Sequence, residues 1–132
     1  SIPSSAVVTG TGATLSLFYE GESSGAIVGA VGIYPVLSAW DEDIISWDNQ
    51  PALAATVSTT TTLTAPHTDA FVNWYIGDLV QAWISGTFPN QGMALIDTDE
   101  TTAEGHKGFY SSDHGTLAEN PKLTIQYYDP TQ

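Results

Sequence analysis

Apolar and polar residues alternate along several short stretches of the chain, as they do in β-strands that are buried on one face. Residues 13–19 set alanine and leucine against threonine and serine, and a turn-forming sequence that contains Gly21 and Gly25 follows them. Residues 123–128 repeat the alternation, with leucine, isoleucine and tyrosine against threonine and glutamine. Both stretches predict strands with one face in a core.

Two other segments depart from this alternation. Residues 26–37 are largely apolar, and Gly29, Gly32 and Pro35 are spaced through them. Because these residues weaken or stop a helix, we expect a strand with a bulge or with close sheet packing. Residues 56–64 are β-branched but contain little apolar surface, so we expect a solvated edge or an extended loop.

One segment has the spacing of a helix. After the strand-like residues 71–76, Gly77 interrupts the pattern and Asp78 is suited to cap a helix N-terminus. Gly86 is placed to end the helix. The residues that share one apolar face at helical spacing are Leu79, Val80, Trp83 and Ile84. The pattern predicts a short helix at about residues 78 to 85, with Trp83 in the core.

Many short strands, one brief helix and no internal repeat indicate an all-β sandwich. Residues 93–96 and 107–111 supply further strand-like stretches. The chain has 132 residues, of which 42% are hydrophobic, and this suits one domain with a real core. We therefore expect residues 1–132 to form a single domain.

The charge balance excludes two classes of partner. Fifteen acidic residues stand against two lysines, Lys107 and Lys122, and the formal net charge is −13. Nucleic acids and anionic membrane surfaces are bound through clusters of lysine and arginine, so neither is expected as a partner. No apolar run reaches the roughly 20 residues of a membrane-spanning helix. The absence of cysteine excludes disulfides and thiolate metal sites.

The sequence contains no pattern of an enzyme active site. His67, His106 and His114 are scattered, whereas a zinc site needs three or four converging ligands. Neither a nucleophile elbow nor a phosphate-binding loop occurs. The acids are so abundant that no carboxylate pair stands out for glycoside chemistry. We expect a protein without catalytic activity.

Calcium is the one candidate cofactor. Ca²⁺ is bound by about six to eight oxygen ligands, and two acidic clusters could contribute them. The candidate ligands are Asp97, Asp99 and Glu100, followed by Glu104, in one cluster, and Asp41 and Asp43, with Glu42 and Asp48, in the other. Neither cluster matches an EF-hand loop, so a solvated acidic loop is the competing interpretation of each.

Trp40, Trp47 and Trp74 are the candidate ligand-binding residues. Exposed aromatic rings stack on sugar faces in β-sandwich binding modules, but buried rings more often build cores. Trp74 lies on a predicted strand and fits either role. Trp40 and Trp47 bracket three acids and an Ile-Ile pair in the sequence WDEDIISWDNQP, residues 40–51, which also allows both roles.

The order of the motifs resembles a known family. Trp40-Asp41-Glu42 and residues 45–51 are similar to the W-x-E-x-x-(V/I)-(T/S)-W-x-x-x-P signature of DNRLRE-domain proteins. These proteins are related to the carbohydrate-binding module 96 group and to disaggregatase-associated repeats. Further segments that resemble family motifs follow in order: residues 76–83 (IGDLVQAW), 89–95 (PNQGMAL), 109–112 (FYSS) and 120–123 (NPKL). The resemblance runs from the first residue to about Tyr128.

The resemblance implies a jelly-roll-like β-sandwich that is extracellular or at the cell surface. It also implies a structural turn in which the indoles of Trp40 and Trp47 pack and Glu42 satisfies backbone donors, the alternative being that the two rings bind sugar. Ser1 to Val8 resemble the segment that follows the family's opening strands. We therefore expect those strands to be missing and a sheet edge to be left unpaired.

Two functions are expected. The first is a non-catalytic extracellular carbohydrate-binding or adhesion module with a polysaccharide as its partner. An acidic polysaccharide would call for lysine and arginine, so it is expected only if calcium bridges it. The alternative is a structural surface protein, a filament or matrix subunit, that binds neighbouring copies of itself by strand complementation.

Overall fold

The structure is a computed structural model and describes residues 1–22, 29–64, 69–98 and 107–132. The strands in these ranges are β1 (Ala13–Glu22), β2 (Gly29–Pro35), β3 (Thr59–Leu63), β4 (Ala70–Tyr75), β5 (Met93–Asp97), β6 (Lys107–Phe109) and β7 (Lys122–Ile125). One α-helix, α1 (Gly77–Ile84), follows β4 directly. Two short 3-10 helices lie at Trp47–Asn49 and Leu117–Glu119.

The strands form two antiparallel sheets that face each other. In the first sheet β4 pairs with one edge of β1, while β6 and β7 share the other edge. β7 pairs along the start of β1, at Ala13 to Ser16, and β6 pairs near its end, at Tyr19 to Glu22. The second sheet has the order β3-β2-β5. The predicted all-β sandwich with one short helix is confirmed.

The core lies between the two sheets. The alternation in β1 is confirmed, because Ala13, Leu15 and Leu17 are buried there. Trp74 of β4 is fully buried, and its Nε1 donates a hydrogen bond of 2.8 Å to the carbonyl oxygen of Val31 in β2. This bond joins the two sheets through the middle of the core.

The helix is confirmed to within one residue at each end. It begins at Gly77 because a Cβ there would lie 1.9 Å from the carbonyl oxygen of Thr9, so only glycine allows the N-terminal segment this close. The N-cap is Ile76, and Asp78 lies in the first turn instead of at the predicted cap. Gly86 follows the helix with φ of +75°, the left-handed conformation that ends helices.

Three other predictions needed adjustment. Residues 59–63 do form an edge strand, and Leu63 anchors it because its side chain is fully buried. Trp83 packs against the core but is only partly buried. The final strand is shorter than predicted: β7 ends at Ile125, and Tyr128 then forms an isolated bridge with Val7. No helix in the described residues is long and apolar enough to cross a membrane.

Candidate functional site

The chain between β2 and β3 carries residues 40–51, which we call the tryptophan loop. Hydrogen bonds on either side of it close its base. The N–H of Leu37 donates to the carbonyl oxygen of Ala52 at 2.8 Å, and the N–H of Ala52 donates to Oγ of Ser38 at 2.9 Å. The two ends of the loop therefore meet beside the second sheet.

Side chains within the loop fix its backbone. Oδ1 of Asn49 accepts hydrogen bonds from the backbone N–H and from Oγ of Ser46. Nδ2 of Asn49 donates to the carbonyl oxygen of Ile44 at 2.8 Å, and Nε2 of Gln50 donates to that of Trp47 at 3.0 Å. These bonds surround the short 3-10 helix, so Trp47 is held on an ordered backbone.

Both tryptophans of the loop face solvent. Trp47 is 82% exposed and Trp40 is 48% exposed. Nε1 of Trp40 donates to the carbonyl oxygen of Gln91 at 2.7 Å, which fixes one edge of its ring. The prediction that both indoles pack in a structural turn is therefore wrong for Trp47 and half right for Trp40. Asn49, and not Glu42, satisfies the backbone of the turn, since no hydrogen bond of the Glu42 carboxylate is found within the described residues.

A cleft of about 210 Å³ adjoins Trp40. Its lining residues are Val36, Trp40, Ile45, Gln50, Pro51, Leu53, Met93 and Ala94. Ile44 and Ile45 are also exposed. The two isoleucines were not among the predicted site residues. The sequence did contain a signal for them, because an apolar pair that directly follows three acidic residues is unusual in a solvent-exposed loop. The loop thus presents aromatic and aliphatic surface beside amide and carboxylate groups.

Trp74 does not belong to this surface. Its side chain has no exposed area and its indole N–H is bonded to Val31, so a ligand cannot reach the ring. The assignment of Trp74 as a ligand-binding residue is corrected to a core residue. Its position on β4, which the sequence had identified, turns it toward the opposing sheet.

Those predicted calcium ligands that the structure describes do not converge on one point. Asp41 and Asp43 are exposed, and Oδ1 of Asp41 accepts a hydrogen bond from the N–H of Asp43 at 3.0 Å. Asp97 forms an ion pair with Lys107. Asp99, Glu100, Glu104, His67 and His106 lie outside the described residues. Among the residues that are described, no three acids or histidines converge on one point.

A second aromatic surface, which sequence reasoning missed, lies on the outer face of the first sheet. The ring of Phe18 meets Phe71 edge-on at 5.4 Å and stacks on Tyr110 at 5.2 Å, and Tyr110 stacks on His114 at 3.6 Å. Nζ of Lys122 lies 4.3 Å from the centre of the Phe71 ring. These rings contact one another, and they are less exposed than Trp47.

The electrostatics of this face are acidic. Desolvation raises the pKa of Tyr110, and the negative charges of Glu20, Glu119 and Asp69 add to the shift. Nε2 of His114 lies 3.1 Å from a carboxylate oxygen of Glu119. The hydroxyl of Tyr110 therefore stays protonated at neutral pH.

A larger cleft of about 480 Å³ lies between the segment after the tryptophan loop and the start of α1. Ala54, Val57 and Phe88 contribute apolar walls, and Asp78 is the charged residue among those that line it. No tryptophan lines this cleft. The volume of this cleft favours it as a binding site, but Trp47, the most exposed aromatic ring among the described residues, lies at the tryptophan loop.

Comparison with known proteins identifies a family. The family model of carbohydrate-binding module family 96 matches residues 1–127, in agreement with the resemblance predicted from the motifs. No curated protein and no solved structure matches the chain.

Proposed function

The chain belongs to carbohydrate-binding module family 96, and on this premise we propose a non-catalytic, extracellular adhesion module that binds a neutral polysaccharide at the tryptophan loop. The observation that carries the proposal is the Trp47 ring, 82% exposed on a hydrogen-bonded loop beside the half-exposed Trp40. A large indole in water is costly, because its apolar area is hydrated, so such exposure points to a ligand.

The chemistry of the loop suits a sugar. A pyranose ring has an apolar face of C–H groups, which an indole covers, and hydroxyl groups around its rim, which need hydrogen-bond partners. The carboxylates of Asp41, Asp43 and Asp48 are exposed acceptors in the same loop. Because side-chain hydrogen bonds already fix the loop, ligand binding orders little additional chain, which favours affinity.

The charge of the loop supports a neutral ligand. Residues 40–51 contain four acids and no lysine or arginine. An acidic polysaccharide would be repelled by this field and would find no cation to pair with. A neutral glucan, mannan or xylan carries no such penalty.

Binding to immobilised polysaccharides tests the proposal. The wild-type protein should be retained on at least one neutral polysaccharide, and Trp47→Ala should weaken retention at least about tenfold, as loss of an aromatic hot spot does. The matched control is Tyr75→Ala, which removes a 57% exposed ring from the outer face of the first sheet. Its retention should equal that of the wild type.

The opposite pattern of retention would place the binding site outside the tryptophan loop. Loss of retention in Tyr75→Ala together with full retention in Trp47→Ala would assign binding to the outer face of the first sheet. The absence of catalysis is checked in the same samples, since no new reducing ends should appear in the retained polysaccharide. Release of reducing ends at a rate that follows protein concentration would refute the non-catalytic assignment.

Calcium binding remains a prediction. If Asp41 and Asp43, or Asp97 with Asp99 and Glu100, hold an ion, millimolar Ca²⁺ should raise Tm more than Mg²⁺ at equal ionic strength. Equal shifts would reflect only the screening of a chain with a net charge of −13 and would remove the specific site.

A further inference from the structure

The two long sides of the sandwich are closed to different extents. On the side of β3 and β4, Oγ1 of Thr61 donates a hydrogen bond of 2.7 Å to the carbonyl oxygen of Asn73, which joins the edges of the two sheets. The large apolar side chains that point inward there, Leu63, Val72 and Trp74, are buried, while the inward-facing Thr59 and Thr61 are half-buried and Ala70 is exposed. We call this the closed side.

The opposite side is bounded by β5 in one sheet and by β6 and β7 in the other. The ion pair between Asp97 of β5 and Lys107 of β6 joins the sheets at one end. Farther along, Leu95 of β5 is 37% exposed and Leu123 of β7 is 46% exposed. We call this the open side.

These two leucines point into the sandwich. Directly opposed residues of an antiparallel pair have their side chains on the same face of the sheet. Leu95 is opposite Ile33 and Leu123 is opposite Leu15, and both partners are buried. Leu95 and Leu123 therefore belong to the core face of their sheets, although both are partly exposed.

The backbone of β7 is also available for pairing. The N–H of Gln126 donates to the carbonyl oxygen of Gly12 at 2.7 Å, so Gln126 directs its polar groups toward β1. Because these directions alternate along a strand, those of Leu123 and Ile125 point away from β1. Within the described residues, β7 has no strand partner besides β1.

We propose that the outer edge of β7 pairs antiparallel with β7 of a second copy of this chain, which continues the first sheet across a two-fold axis. A strand satisfies the outward backbone groups and brings its own apolar face to the uncovered leucines. Two-fold symmetric contacts through one identical surface are the commonest form of protein self-association.

The strand sequence is compatible with pairing to itself. If the axis passes through Thr124, Leu123 lies opposite the partner's Ile125 on the inner face. On the outer face Lys122 then lies opposite the partner's Gln126, so the two lysines do not face each other. Residues 120–128 contain no acid, so the pairing places no carboxylates in opposition.

The net charge of the chain predicts how its self-association depends on salt. Each copy carries a formal charge of −13, so two copies repel each other at long range. Salt shortens the range of this repulsion to about 8 Å at physiological ionic strength. The contact itself contains no ion pair that salt would weaken, since its inner face is apolar and Lys122 is its one charged residue in each copy. Association should therefore strengthen as salt is added, which is the reverse of an interface held by ion pairs.

Sedimentation velocity across a range of protein concentrations, at low and high salt, measures the association. We expect a monomer–dimer equilibrium whose dimer fraction rises with concentration and with salt. Hydrogen exchange under the same conditions locates the contact, because the amides of Leu123 and Ile125 should gain protection as the dimer forms.

Two substitutions to lysine, one inside and one outside the proposed contact, provide a variant and its control. Leu123→Lys places a charge in the proposed contact and should raise the dimer dissociation constant at least about tenfold. Thr60→Lys makes the same change of net charge on β3, an exposed edge on the closed side, and should leave the constant unchanged. Circular dichroism and Tm establish that both variants are folded.

Three results would overturn the proposal. One is a monomer at all concentrations and salts, with the edge amides unprotected. Another is a dimer that forms without protection of Leu123 and Ile125, which would place the contact elsewhere. The third is edge protection that appears only when a different polypeptide is added, which would identify another occupant for the same edge. If wild-type hydrogen exchange shows the protection, the proposal stands even where Leu123→Lys fails to fold.

Discussion

Leu63 on the closed side and Leu95 on the open side both lie on strands that flank β2, Leu63 opposite Gly29 and Leu95 opposite Ile33. Each lies on an edge strand beside β2, each points toward the core, and yet Leu63 is fully buried while Leu95 is 37% exposed. The difference comes from what lies across the sandwich. β4, which carries Trp74, contacts β3 across the sandwich, whereas β6 and β7 share the other edge of β1 and Leu95 stays partly exposed.

The largest expected effect is at the centre of the closed side. Trp74→Ala should lower the free energy of unfolding by roughly 3–5 kcal/mol, because it leaves a cavity and removes the hydrogen bond to Val31. Urea unfolding measures the change. Trp47→Ala is the control, and its exposed ring should change stability by less than about 0.5 kcal/mol. Equal losses in the two variants would show that the tryptophan loop packs on the core.

Alanine substitutions at Leu63 and Leu95 test whether the closed and the open side differ in burial. Leu63→Ala should cost about 2–5 kcal/mol in unfolding free energy, whereas Leu95→Ala should cost only about 1 kcal/mol, since part of its surface already contacts water. Both values come from urea unfolding at a protein concentration where the chain is monomeric. A cost for Leu95→Ala that equals that of Leu63→Ala would mean that the open side is covered in solution.

Urea unfolding should also show that the polar contacts on the open side and on the closed side contribute different amounts to the free energy of unfolding. Lys107→Ala removes a cation that is only 7% exposed and leaves the carboxylate of Asp97 without it, which should cost about 1–3 kcal/mol. Thr61→Val keeps the shape of the side chain and removes the hydrogen bond to Asn73, at a cost of about 0.5–1.5 kcal/mol. A smaller loss for Lys107→Ala than for Thr61→Val would show that the ion pair does not secure the open side.

The smallest effect concerns pH and the chain segment beside β7. Hydrogen bonds from the side chain and backbone of Thr131, with a further one from Ser5, hold the pKa of Asp129 below its ordinary value of 3.8. A carboxylate with a lowered pKa stabilises the folded state above its unfolded pKa, and this contribution is lost as the pH falls through the folded pKa.

The corresponding experiment compares Asp129→Asn with the wild type. Near neutral pH the variant should have the lower Tm, and the two curves should converge at the acidic end as Asp129 of the wild type becomes protonated. A constant gap down to pH 2 would show that the hydrogen bonds act through geometry and not through charge.

The sequence by itself determined the fold class and much of the local structure. Alternation identified the inner face of β1, and Gly77, Gly86 and the apolar spacing between them located the helix. The order of five motifs identified the family over nearly the whole chain. These signals are local, since they depend on neighbours along the chain and on backbone conformations that few residue types allow.

Only the tertiary structure decided which apolar side chains meet another layer. Trp47 and Trp74 have the same side chain and both were candidate ligand-binding residues, but Trp74 faces an opposing sheet and Trp47 faces water. Leu15 and Leu123 both occupy apolar positions of the predicted alternation and lie opposite each other on one face of the sheet. Only Leu15 is buried. Periodicity specifies which side chains share a face of a strand, whereas burial depends on elements distant in sequence that pack against that face.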